Sequence, residues 1–121
     1  MATYIQHPVE IEACGDPPKS IEEFFGCLSA ETEEISIARM KSPEGWSEPG
    51  QTPAFDEYSV VLKGTLRVTT RSETIAVGAG EAILSPKGEW VQYSTPFEGG
   101  AEYIAVCLPA FTPDTVHRDK E

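Results

Sequence analysis

Two histidines, His7 and His117, and three cysteines, Cys14, Cys27 and Cys107, are all this 121-residue chain offers for imidazole or thiol chemistry. The cysteines are far apart and form no C-x-x-C pair, so neither a zinc knuckle nor a disulfide framework is indicated. Cys107 reads as a small buried residue rather than a nucleophile, because no histidine is assigned beside it for activation. His117 reads as a surface residue near the C-terminus. No serine stands in a G-x-S-x-G elbow, and no glycine-rich phosphate loop is present. Arg39 shares a strand face with Ile35 and Ile37, unusual company for a guanidinium. If that face is internal, Arg39 can anchor a carboxylate or phosphate. If it is a strand end, the head snorkels to solvent.

The elements that would carry these residues are short and separated by turn residues. Ten prolines and ten glycines fall between apolar runs, which reads as many turns and short strands. Strands are expected at 35–40, 57–62, 65–70, 74–77, 81–84, 90–94 and 103–108, with Lys63-Gly64 as a turn between the second and third. Leu66 and Val68 alternate with Thr65, Arg67 and Thr69, the mark of a half-buried strand. One segment reads differently. Ser20 and Glu23 have capping-box spacing, and 21–28 carries Phe24, Phe25 and Leu28, so a short N-terminal helix is expected there. The end of the chain, 109–121, is a Pro-containing charged tail expected to cross the surface or reach toward a partner.

Nine Lys and Arg against 20 Asp and Glu give a net charge of -11. That balance argues against nucleic acid, whose affinity rests on neutralising phosphates, and against anionic membrane surfaces. A 40% hydrophobic, 24% charged composition is that of a globular chain, and the length suits one domain. No basic leader or membrane-length apolar run is visible. With cysteines in no pattern, the expected location is cytoplasmic.

The segments 51–64, QTPAFDEYSVVLKG, and 80–93, GEAILSPKGEWVQY, are similar to the two motifs of the cupin superfamily, G(x)5HxH(x)3-4E(x)6G and G(x)5PxG(x)2H(x)3N. Glu57, Gly64, Gly80, Pro86 and Gly88 stand at the right offsets. The resemblance implies an all-β fold, the cupin double-stranded β-helix or jelly-roll barrel, often dimeric and typically holding a divalent metal in its mouth. The chain then divides into an extension at 1–34, a barrel at 35–108 and a tail at 109–121, one cupin domain in all.

The resemblance also shows what is missing. Gln51 and Pro53 replace the first two motif histidines, and Val91 replaces the third. Of the four usual ligands only Glu57 remains, so no cofactor is expected. A hard divalent cation held by oxygen from Glu57 with Gln51, Glu48 or Asp56 is the weaker alternative. Alternation then puts Ser59 and Val61 inside with Glu57, and Tyr93 inside with Val91. Trp90 points outward, toward a dimer interface or sheet packing. Trp46 and Glu48 lie in a loop that can line the mouth, though Trp46 also suits core packing and Glu48 a solvated loop.

The function implied is binding of a small molecule. In an enzymatic version, a metal-independent isomerase or lyase acts on a small polar or anionic metabolite such as a sugar phosphate. Glu57 is its acid/base and Tyr93 donates a proton or hydrogen bond. Arg39, Trp46, Glu48 and Gln51 contact substrate. The alternative is a non-catalytic sensory or accessory cupin homodimer, in which Glu57 is a hydrogen-bonded polar residue of the interior. Neither nucleic acid nor membrane is an expected partner.

Overall fold

The computed structural model describes residues 1–29 and 31–120. Ala30 and Glu121, the latter ending the expected tail, lie outside the described residues. Among the described residues nine strands follow in chain order: β1 (Val9–Ile11), β2 (Ser20–Phe25), β3 (Ser36–Ser42), β4 (Trp46–Ser47), β5 (Asp56–Thr70), β6 (Thr74–Gly78), β7 (Ala82–Ser85), β8 (Val91–Thr95) and β9 (Ala101–Leu108). Every pairing among them is antiparallel.

β5 organises the molecule. Its first half pairs with β7 and β9, and its second half with β6 and β8. One strand therefore serves both sheets of the barrel. The expected turn at Lys63-Gly64 is instead a bend inside β5, with a register slip against β9 between Val61 and Lys63. Gly64 makes the bend possible: its φ is 74°, and a Cβ there would run into the Gly100 carbonyl oxygen. The expected turn is therefore absent: the ladder pairing continues through Lys63 and Gly64, and the glycine only bends the strand.

The helix expected at 21–28 does not form. Ser20–Phe25 is β2, hydrogen-bonded between β1 and β3. Ile21 and Glu23 are buried, while their neighbours are partly exposed, so a period of two overrides the local capping signal. The Glu23 carboxylate, 1% exposed, accepts from the backbone N–H of Leu28 at 3.2 Å and Ser29 at 3.0 Å. It holds the turn after the strand instead of capping a helix start. The N-terminal extension thus widens the barrel wall by two strands.

Two apolar clusters fill the interior. The larger includes Trp46, Val61, Leu66, Val68, Val91 and Tyr103. The smaller is Phe55, Cys107 and Val116, with Phe111 against them. Val116 comes from the tail, which lies on its own barrel: Thr52 N–H donates to the His117 carbonyl at 3.1 Å, and Ala54 N–H to the Thr115 carbonyl at 2.9 Å. No helix is long and apolar enough to cross a membrane among the described residues.

Candidate functional site

A cavity of about 590 Å³ opens between the N-terminal strands, β5, β8, β9 and the tail. Glu57 stands in its wall because β5 turns alternate side chains inward: Glu57, Ser59 and Val61 are buried while Tyr58, Val60 and Leu62 face out. The register sets Glu57 beside Cys107 of β9 and Ser85 of β7. The Cys107 thiol points at Glu57 Oε1 from 3.8 Å. The Tyr93 hydroxyl donates to Ser85 Oγ at 2.9 Å. Ser59, fully buried, has no hydrogen-bond partner for its hydroxyl.

Electrostatics follows from this packing. Burial pushes the Glu57 carboxyl up to about 7, with Lys19 pulling it down and Glu48 pushing it further up. Glu48 is also raised by burial, against the pull of Lys19 and Arg118. Tyr93 is lifted well above the ordinary phenol value by burial and then by Glu57, so it remains a neutral hydrogen-bond donor. Burial, followed by Glu57, pushes the Cys107 thiol up as well. It therefore lacks the thiolate character of a nucleophile.

Of the residues singled out in the sequence, Glu57, Tyr93, Glu48 and Gln51 meet at this one cavity. Gln51 is held there by a backbone bridge to Val91, with N–H to carbonyl distances of 2.9 Å both ways. Trp46 is 1% exposed and belongs to the core. Its Nε1 donates to the Cys14 carbonyl at 3.4 Å. Trp90 lies outside the barrel, where its Nε1 donates to Asp119 Oδ2 at 2.8 Å and Arg71 covers its ring at 4.7 Å.

Arg39 does not join Glu57. On β3 the inward positions go to Ser36 and Ala38, with Met40 at the cavity wall. Arg39 takes the other face with Ile37, and its Nε donates to Glu22 Oε1 at 2.9 Å. The cation inside is Lys19, which the sequence reading missed. Its half-buried ammonium lies 4.1 Å from the Trp46 ring centroid and donates to the Tyr103 hydroxyl at 3.2 Å. The signal was the alternation Lys19, Ile21, Glu23, masked by the helix assignment. Arg118, whose Nη2 lies 3.9 Å from Glu48 Oε2, reaches the cavity through the folded-back tail and has no local signature.

The donor set does not fit a divalent metal. Among the described residues no group of three His, Cys, Asp or Glu side chains is placed to hold an ion. Val and Pro offer no donor atom, and the Lys19 ammonium adds positive charge to the same cavity.

Comparison with known proteins agrees with this architecture. The Cupin domain family matches residues 38–107. The endoribonuclease YbeY of Myxococcus xanthus is 42% identical over 104 residues, 86% of this chain and 35% of that protein. This chain spans 35% or less of the length of the curated relatives it matches. Among solved structures, the EutQ protein of Clostridium difficile aligns with a TM-score of 0.65 and 27% identity, over 77% of this chain and 64% of that one. A predicted oxalate decarboxylase of Thermotoga maritima aligns at 0.72 and 18% identity, over 88% and 99% of the two chains, a likeness of fold alone.

Proposed function

The chain belongs to the cupin family, and we propose that it is a small-molecule-binding cupin whose Glu57 acts as general acid/base on a small polar or anionic metabolite. The observation that carries this reading is a buried carboxyl group in the wall of a cavity large enough for a metabolite, a burial that pushes it up to about 7. Near neutral pH both forms of Glu57 are populated, which is what proton transfer in both directions requires. In an isomerase-type step, ionised Glu57 removes a proton from carbon next to a carbonyl. It then returns that proton to the former carbonyl carbon while a second proton passes from the adjacent hydroxyl to the former carbonyl oxygen, so that carbonyl and hydroxyl exchange places. In a lyase-type step it delivers the proton to the leaving group. Tyr93 stays neutral and, on turning its one proton away from Ser85, donates a hydrogen bond to the substrate, which Gln51 orients.

The nuclease activity named for the longer relative is not carried over, because a net charge of -11 disfavours a polyanionic substrate. A thermal-shift screen of sugar phosphates and small carboxylic acids, followed by NMR in heavy water, tests the reading. Glu57→Gln is expected to keep binding and lower turnover by at least about a hundredfold. Undiminished turnover in that variant would take Glu57 out of the reaction.

One observation favours the accessory-homodimer alternative. Tyr58, Val60, Leu62, Leu84 and Leu108 are each 38–47% exposed, and their strands β7, β5 and β9 are adjacent. This patch of exposed apolar side chains suits the second copy of the chain that the cupin fold implies. Sedimentation is expected to give a dimer for the native chain and a monomer for Val60→Asp. A native monomer at micromolar concentration would remove the homodimer.

A further inference from the structure

Lys19 is the unused cation of the cavity. It immediately precedes β2 and lines the cavity with Ile21 and Glu23. An ammonium has three N–H donors. One goes to Tyr103, whose hydroxyl also lies 3.4 Å from Ser42 Oγ, and the Trp46 face covers another side. Among the described residues no carboxylate comes within ion-pairing distance of it. Arg118 has Glu48 for a neighbour, and Glu23 has its two backbone donors. A donor of Lys19 is therefore left for whatever enters.

We propose that Lys19 anchors the carboxylate of a small monocarboxylate ligand, taking the electrostatic place that a divalent metal would hold in such a barrel. The inference rests on the reading of this cavity as a small-molecule site and narrows its ligand. Among the described residues Glu10, Glu12, Glu23, Glu48 and Glu57 line the cavity with two cations, Lys19 and Arg118, so a phosphate dianion meets more repulsion than a single carboxylate. Burial pulls the Lys19 ammonium down, but Tyr103, Glu48 and Glu57 together hold it above the ordinary lysine value. It stays charged throughout the neutral range. Glu57 faces Lys19, Glu48, Arg118, Cys107 and Tyr93. A bound carboxylate adds negative charge to that group and favours protonated Glu57. Binding then takes up protons near neutrality and weakens as pH rises from 6 to 8.

The test is calorimetry with benzoate and lactate against benzamide and lactamide, alongside NMR of the Lys19 Cε resonance in the full chain. The acids are expected to bind at least about tenfold more tightly than the amides and to move the Cε resonance. Lys19→Met is expected to remove that preference by weakening the acids far more than the amides. A preference that survives Lys19→Met overturns the proposal. So do equal affinities for acid and amide in the native chain, although those would leave the small-molecule reading standing. Should Lys19→Met fail to fold, the native Cε resonance decides, and its indifference to both acids overturns the proposal. Glu57→Gln separates the two ideas: acid binding kept with turnover lost supports both. Acid binding kept with full turnover removes only the acid/base role.

Discussion

Glu57 determines how the molecule responds to pH. Unfolded, the carboxyl titrates near 4.5; folded, it titrates near 7. The folded state therefore holds a proton that the unfolded state has already released, so stability falls as pH rises through this window. The penalty is of the order of 3 kcal/mol when complete. Glu57→Gln is expected to melt close to the native chain at pH 5 and well above it at pH 8; parallel melting curves at the two pH values would contradict the burial argument. Cys107 belongs to the same neighbourhood. As a buried thiol with a raised pKa, it is expected to resist iodoacetamide at pH 8 in the folded chain, as mass mapping of the alkylated sites would show. Fast alkylation of Cys107 would mean that its wall opens.

At the level of elements, the legible features were those in which local signals and tertiary packing agree. Leu66 and Val68 alternate with polar neighbours, and the strand they announce is present. The motif resemblance picks out Glu57, alternation from Val91 picks out Tyr93, and both line one cavity. The segment after Pro18 failed because two codes overlap there. Ser20 and Glu23 spell a helix cap, yet Ile21 and Glu23 also sit two apart, and pairing with β1 and β3 favours the second reading. That misassignment hid Lys19, and with it the charge of the site. Arg39 was ambiguous because β3 carries aliphatic side chains on both faces. Arg118 depends on a return of the tail that no short window of sequence encodes. The bend of β5 offers a direct test. Gly64→Ala must adopt a positive φ against the Gly100 carbonyl and is expected to cost at least about 1–2 kcal/mol, read from urea unfolding. A neutral substitution would show that the two halves of β5 can separate without penalty.

For the whole molecule, the tail completes the barrel. Ala110 and Val116 are buried at 3% exposure, and Phe111 packs edge-on against Phe55 at 5.9 Å between ring centroids. Removing 110–121 would expose Phe55 and Cys107 and delete Arg118 from the cavity. Such a truncation is expected to lower stability by about 2–5 kcal/mol, the scale of losing a large core side chain. Denaturant titration would measure it, and an unchanged midpoint would make the tail dispensable.

The two tryptophans divide between these environments, and that division makes the protein its own reporter. Trp46 is sealed in the core beneath the Lys19 ammonium, while Trp90 sits outside beneath Arg71. With Trp90 replaced by phenylalanine, the remaining indole would emit under the field of the Lys19 ammonium against its ring. Neutralising that charge, by an arriving anion or by substitution, would register as a change in colour of the emitted light. The occupancy of the cavity could then be followed without a label, a substrate or a known reaction.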